Sequence, residues 1–209
     1  MSAASRAPQR TDRTRGRRRN PLIAASATAA AVLLTACGTG GVSGGSNQTG
    51  FITGSDGIAT AKKGERATAP DLSGKTLEGK DLTLAGYRGK VVVLNVWGSW
   101  CPPCRAEAPN FAKVSKEMAK DGVRFVGINT RDTSTGPAKA FEQDYGVTYP
   151  SLYDPTGKLM LRFKKGTLNP QTIPSTLVID REGKIAARSL QPLSEAKLRK
   201  MLDPVVAEK

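Results

Sequence analysis

The sequence predicts an α/β fold in which a central mixed β-sheet is flanked by helices on both faces, with an N-terminal β-hairpin extension. Two observations support this class. Short, nearly continuous apolar segments, typical of strands covered on both faces, alternate with segments of helical spacing. From about residue 67, glycine and proline also separate these segments at regular intervals, which gives the order β-α-β-α-β-β-α.

Local patterns define each element. Residues 91–97 read VVVLNVW and residues 123–129 read VRFVGIN, as expected of buried strands. Glycines 122 and 146 end helical patterns, and Ser194 is a capping residue before the last helix. The predicted elements are a hairpin at 75–77 and 81–84, a strand at 91–97, a helix at 103–120, a strand at 123–129, a helix at 137–145, strands at 175–180 and 184–190, and a helix at 194–202 that stops at Asp203-Pro204.

The first 36 residues have the three parts of an export signal. Seven arginines and one aspartate supply +6 of the formal +14 charge, and an apolar run of 16 residues follows, too short for the ~20 of a spanning helix. The run ends in LTAC at 34–37, which resembles a bacterial lipobox. We therefore expect residues 1–36 to be removed and Cys37 to be lipidated. An uncleaved anchor is the alternative, and Arg18-Arg19 leaves open Sec or twin-arginine export.

The residues after Cys37 are rich in glycine and serine, which predicts a flexible tether over 37–66. One domain then occupies residues 67–209. A lipid followed by a tether predicts an exported protein held at the outer face of the cytoplasmic membrane. Stable anchoring requires more than one acyl chain, as the lipobox resemblance implies.

The chain has no histidine and three cysteines. This excludes histidine-based catalysis and histidine-ligated metals, and three cysteines are one too few for an all-cysteine zinc site. We expect no metal and no cofactor. Because much of the basic charge lies in the export signal, the sequence gives no basis for binding nucleic acid.

A pair of cysteines lies where the first long strand meets the first helix, in the sequence WGSWCPPCRAE at 97–107. Cys101 would lie at the helix N-terminus, where the macrodipole and unpaired N–H groups favour a thiolate. Cys104 lies one turn later and could form a disulfide with Cys101. Pro102 and Pro103 fit the first turn because those N–H groups have no helical partner.

Over about residues 67–205 the chain resembles the thioredoxin superfamily, and within it the TlpA/ResA-like membrane-tethered thiol–disulfide oxidoreductases. The resemblance is carried by GKVVVLNVW at 89–97, by WCPPCRAE at 100–107 and by TIPSTLVID at 172–180 followed by Gly183. It implies a thioredoxin-like fold and a redox-active pair, Cys101 and Cys104. Half of a zinc site is the alternative interpretation of the pair.

The resemblance also implies a substrate-binding surface of Trp100, Pro102, Pro103, Ile173 and Pro174. Pro174 would be a cis-proline facing the disulfide, which lets the Ile173 backbone pair with a substrate strand. An ordinary trans-proline is the alternative for Pro174. Core packing is the alternative for Trp100, although Trp97 is the better candidate for the core.

Glu107 shares the apolar stripe of the helix with Cys104 and Phe111. A buried carboxylate is costly unless it is used or paired, and desolvation raises its pKa. The ResA-like branch carries a glutamate at this spacing, which implies that Glu107 accepts the proton of the resolving thiol. The alternative is a solvated glutamate paired with a basic neighbour.

These features predict a disulfide reductase in which Cys101 attacks a substrate disulfide and Cys104 resolves the mixed disulfide. Because both intervening prolines lack an N–H and no histidine is available, we expect a Cys101 pKa nearer that of thioredoxin than that of strong oxidants. The resemblance implies a role in cytochrome c maturation, with apocytochrome c as substrate and a membrane thiol as electron donor. The alternatives are an oxidase or isomerase of exported proteins, and a tethered binding or chaperone module.

Overall fold

The computed structural model describes residues 49–208. The export signal, Cys37 and most of the tether lie outside the described residues. The strands are β1 Ile52–Thr53, β2 Ile58–Thr60, β3 Ser73–Lys75, β4 Asp81–Thr83, β5 Val91–Trp97, β6 Val123–Thr130, β7 Ser151–Asp154, β8 Ser175–Ile179 and β9 Ile185–Ser189. The helices are α1 Pro102–Glu117, α2 Thr135–Asp144 and α3 Glu195–Ala207.

Seven strands form one mixed sheet in the order β1-β2-β9-β8-β5-β6-β7, and β3 and β4 form a separate hairpin. Strands β5, β6 and β7 are parallel, whereas β8 runs antiparallel to β5 and β9 runs antiparallel to β8. The carboxyl ends of the three parallel strands therefore meet the start of β8 at one edge. That edge carries the cysteine pair.

The sheet is covered on both faces, which is why all seven residues of β5 are buried. On one face α1 and α3 pack against alternate strand residues, and they contribute the fully buried Phe111 and Leu198 to this cluster. On the other face short 3-10 helices contribute Leu84 and Met160, and the hairpin segment contributes Leu72. The mixed sheet with helical cover predicted from the sequence is confirmed.

Three details differ from the sequence prediction. The domain begins before residue 67, because β2 pairs with β9 and buries Ile58 and Ala59 in what was assigned to the tether. Strand β7 was missed because it has only four residues, two of them polar. Helix α3 continues through Pro204, since burial of Leu202 and Val205 offsets the missing backbone hydrogen bond.

Arg66 ties the start of the domain to its end. Its guanidinium is buried and bonds to the carboxylates of Asp180 and Glu208, and its Nε donates to the carbonyl of Ala61. This network also places residue 66 inside the fold rather than in the tether. Within residues 49–208, no helix is both long enough and apolar enough to cross a membrane.

Candidate active site

The cysteine pair lies at the N-terminus of α1, directly after β5 and a three-residue loop. Cys101 is the N-cap residue and Cys104 lies in the first turn. The two are joined by a disulfide, with their Cα atoms 5.3 Å apart. Because Pro102 and Pro103 have no N–H, the first N–H available to Cys101 is that of Cys104, which donates to its Sγ at 3.3 Å. The Cys101 sulfur therefore receives one backbone hydrogen bond at the helix start.

Both sulfurs lie in a small apolar cluster. Cys101 is 2% exposed and Cys104 is 1% exposed, so Cys104 is hardly more shielded than Cys101. Trp97 is buried in this cluster and stacks on Phe141 of α2, with ring centroids 4.4 Å apart. Trp97 is thus the core residue of the two tryptophans, as its position in the sequence suggested.

Trp100, by contrast, is 44% exposed beside the disulfide. Its indole N–H donates to the carbonyl of Thr130 at 3.3 Å, and the guanidinium of Arg131 lies 4.8 Å from its ring centroid. A side chain at Gly98 would come within 2.6 Å of the Trp100 Nε1, so glycine is needed there. The exposed ring is held in a fixed orientation next to the reactive pair.

Asp132 holds the loop that precedes the cysteines. Its buried carboxylate accepts hydrogen bonds from the N–H and hydroxyl of Ser99 and from the side-chain amide of Asn129. From the other direction, the Arg105 guanidinium donates twice to the carbonyl of Ser99, at 2.7 and 2.9 Å. The loop is therefore anchored at both its N–H and its C=O groups.

Replacing Asp132 with alanine will destabilise the oxidised protein by about 3 kcal/mol, because three buried donors lose their acceptor. Urea unfolding measures this. Asp144→Ala is the control, since Asp144 is exposed at the end of α2 and its loss should cost less than about 0.5 kcal/mol. Equal stability of the two variants would contradict the role given to Asp132.

The peptide bond between Ile173 and Pro174 is cis, as the family resemblance implies. Ile173 packs against the cluster that contains both cysteines. Within the described part of the chain, neither the N–H nor the C=O of Ile173 forms a hydrogen bond. This backbone is thus available for a partner strand, and pairing there remains an expectation.

Glu107 is 2% exposed and lies on the buried face of α1 with Cys104 and Phe111. One carboxylate oxygen accepts from the Asn95 side-chain amide at 2.9 Å, and the other accepts from the N–H of Leu193 at 2.9 Å. No basic side chain pairs with it among the described residues, so the solvated, paired alternative is wrong. Burial raises the Glu107 pKa to about 7, although both hydrogen bonds act against this shift.

This pKa makes stability depend on pH. The folded protein binds the Glu107 proton more tightly than the unfolded chain does. The stability that this proton contributes is therefore fully present below about pH 4.5 and is lost as the pH rises through about 7. Over that interval the free energy of unfolding of the wild type will fall by about 3 kcal/mol relative to that of Glu107→Gln. Urea unfolding of both proteins at several pH values measures the difference. Parallel stability curves would contradict it.

A second buried carboxylate lies near the pair. Glu142 accepts a hydrogen bond from the hydroxyl of Ser151 at 2.7 Å, and that hydroxyl accepts from the Trp97 indole at 3.3 Å. Desolvation raises the Glu142 pKa to about 7. Sequence reasoning missed Glu142, Asp132 and Asn95, because only the fold brings them against Ser151, Ser99 and Glu107, respectively. A buried asparagine within an otherwise apolar strand was the one available signal.

Within residues 49–208, no group of three or more cysteines or carboxylates is arranged to hold a metal ion. The geometry instead suits thiol chemistry. A disulfide at a helix start, an exposed aromatic ring beside it and a buried carboxylate on the same helix form one constellation.

Comparison with known proteins agrees with this chemistry. Residues 66–188 match the AhpC/TSA family. The chain is 34% identical to the thiol-disulfide oxidoreductase ResA of Geobacillus thermodenitrificans over 57% of this chain and 65% of ResA. It is 34% identical to the thiol:disulfide interchange protein HelX of Rhodobacter capsulatus, over 72% of this chain and 80% of HelX.

Solved structures show the same similarity. A secreted thiol-disulfide isomerase from Corynebacterium glutamicum superimposes with a TM-score of 0.68 at 32% identity, over 75% of this chain and 97% of that protein. The similarity to this structure and to ResA and HelX covers more than half of this chain in each case. The chain belongs to the AhpC/TSA family and is a thiol–disulfide oxidoreductase with the thioredoxin-like fold.

Proposed function

We propose that this protein is an exported, lipid-anchored disulfide reductase that acts in cytochrome c maturation. The observation that carries the reaction is the Cys101–Cys104 disulfide at the N-terminus of α1. The similarity to ResA and HelX supports the class of reaction. The lipobox-like sequence ending at Cys37 supports export and anchoring at the outer face of the cytoplasmic membrane.

In the forward reaction the protein begins as the dithiol. The Cys101 thiolate attacks one sulfur of a substrate disulfide, the substrate S–S bond breaks, and a Cys101–substrate mixed disulfide forms. The Cys104 thiol then gives its proton to a base and attacks the Cys101 sulfur, which releases the second substrate thiolate. Substrate is reduced to a dithiol, the protein is oxidised, and a membrane thiol donor restores the Cys101–Cys104 pair.

Glu107 is the proposed base for Cys104. It lies one helical turn after Cys104 on the same buried face, and with a pKa of about 7 it is partly ionised at neutral pH. Asn95 and Leu193 orient its two oxygens. Because the carboxylate is desolvated, it binds a proton at a pH where an exposed glutamate would remain ionised.

The substrate surface is proposed to consist of Trp100, the two intervening prolines, Ile173 and Pro174. Ile173 offers unpaired backbone groups for a substrate strand, and Trp100 offers an exposed aromatic face. The proposed substrate is the oxidised haem-attachment cysteine pair of apocytochrome c.

Trapping in cells tests this function. A full chain carrying Cys104→Ala should capture apocytochrome c as a mixed disulfide on Cys101, and dithiothreitol should release it. A chain that lacks both Cys101 and Cys104 is the control. Capture of other exported proteins without any apocytochrome would overturn the cytochrome role. The absence of any capture would overturn the reductase itself.

Two other functions give different results in cells. An oxidase or isomerase of exported proteins is favoured by the name of the Corynebacterium glutamicum structure. The cysteine pair of an oxidase would be largely oxidised in cells, whereas the pair of a reductase would be largely reduced. An isomerase also attacks as a thiolate, and it would rearrange non-native disulfides without net reduction. A binding or chaperone module would keep its function in a Cys101→Ser variant.

A further inference from the structure

Three exposed cations lie at the edge of the sheet where β5, β6 and β7 end, the edge that carries the disulfide. Arg105 bonds to the loop just before Cys101. Arg131 follows β6 and stacks on Trp100. Lys158 follows β7, and its backbone N–H donates to the side chain of Asp154. Asp154 is the strand partner of Thr130, whose carbonyl bonds to Trp100. We call Arg105, Arg131 and Lys158 the basic rim.

The carboxylates nearest the basic rim accept hydrogen bonds from neutral donors, and none of them pairs with a cation of the rim. Asp132 and Asp154 are buried and accept hydrogen bonds from the loops, and Glu107 is buried on α1. Within residues 49–208, none of the three cations takes part in a salt bridge, although seven other basic residues do. Among the described residues, the rim therefore presents three cations without a salt-bridge partner at the edge that carries the reactive pair.

Arg131 is the best defined of the three. Its backbone has a φ of +61°, rare for a residue with a side chain, and such conformations persist where the surroundings fix them. The flat face of its guanidinium rests on Trp100, and in the described structure none of its N–H groups donates a hydrogen bond. A guanidinium held by its face with a free edge is suited to bind a carboxylate through two parallel hydrogen bonds.

We propose that the basic rim binds an acidic polypeptide segment next to the cysteines of the substrate, with Arg131 receiving a carboxylate. This inference rests on the proposed function, since it names a property of the substrate. A polypeptide is favoured over a lipid surface because the rim lies beside Trp100 and the unpaired Ile173 backbone, the groups placed to bind a peptide strand.

Two synthetic peptides test the rim. Each contains one Cys-x-x-Cys disulfide, flanked by glutamates in the first and by glutamines in the second. The full chain carries Cys37→Ala so that only the redox pair reacts, and its rate of disulfide reduction is measured in detergent. The glutamate peptide should react about tenfold faster at low ionic strength. The preference should vanish near 1 M salt, where the Debye length is about 3 Å.

Charge reversal supplies the matched comparison. Arg131→Glu with Lys158→Glu should abolish or invert the preference for the glutamate peptide. Lys90→Glu with Lys120→Glu changes the net charge equally, at exposed residues away from the rim, and should keep the preference.

The outcomes are distinguishable. Equal rates on both peptides, or a preference that survives reversal at the rim, would overturn this inference while leaving the reductase intact. No reduction of either peptide would overturn the proposed function together with it. The inference would also be wrong if reversal at the rim weakened binding to phosphatidylglycerol vesicles without changing the peptide preference, because the rim would then contact the membrane.

Discussion

Replacing Cys101 with serine will reduce thiol–disulfide exchange to the background of the buffer. Cys101 is the N-cap of α1, where the helix dipole and the N–H of Cys104 favour a thiolate. A serine hydroxyl accepts the same hydrogen bond but is not ionised at neutral pH and cannot form a mixed disulfide. The assay is reduction of a peptide disulfide by the full chain carrying Cys37→Ala, with that single variant as the active control.

Cys104→Ser should behave differently from Cys101→Ser. It retains the nucleophile, so it should react once and accumulate a mixed disulfide that mass spectrometry detects. If Cys104→Ser were the inert variant and Cys101→Ser the one that accumulates the adduct, the order of attack derived from the helix start would be reversed. Appreciable turnover by Cys101→Ser would contradict the redox mechanism as a whole.

The parts of the fold that could be predicted are those specified by local pattern. Strand β5 was evident because six of its seven successive residues are apolar, and α1 because its apolar residues recur at helical spacing. Strands β1 and β2 could not be recognised, because they have two and three residues and are stabilised by pairing with β9 rather than by their own sequence.

The candidate site divides in the same way. Both cysteines and Glu107 lie within seven residues of each other, so their shared helix could be read from spacing. Asp132 and Arg131 belong to the next strand's end, and only the parallel pairing of β5 with β6 places them beside Ser99 and Trp100. A contact that depends on strand order leaves no periodic signal in one sequence.

The exposed Trp100 shows what the structure adds to a motif. Sequence alone left core packing and substrate contact open for this residue. Its exposure and its contacts with Thr130 and Arg131 remove the first of these alternatives. Its position directly before Cys101, with the ring held by Thr130 and Arg131, is the basis for the substrate surface proposed above.

Glu107→Gln will slow the resolution of the mixed disulfide at pH 7 by about 100-fold, near the lower limit of typical general-base effects. In the wild type the rate of this step should rise with pH as the Glu107 carboxylate ionises at about pH 7. Glutamine has a similar shape but accepts no proton, so that rise should disappear. Rapid mixing of the dithiol protein with a peptide disulfide, followed by acid quenching between about pH 5 and pH 9, measures the step.

Glu142→Gln is a matched control for this prediction. Glu142 is also buried with a pKa raised to about 7, but it lies on α2 and bonds to Ser151 rather than following the resolving cysteine. Both substitutions remove a titrating carboxylate and both should flatten the pH dependence of stability, whereas only Glu107→Gln should remove the rise in rate.

If Glu142→Gln removed the rise in rate as well, that rise would report the electrostatics of the whole cluster, since coupled groups titrate together. If Glu107→Gln kept it, Cys104 would lose its proton to another acceptor, and the role of Glu107 would be confined to holding Asn95 and the N–H of Leu193.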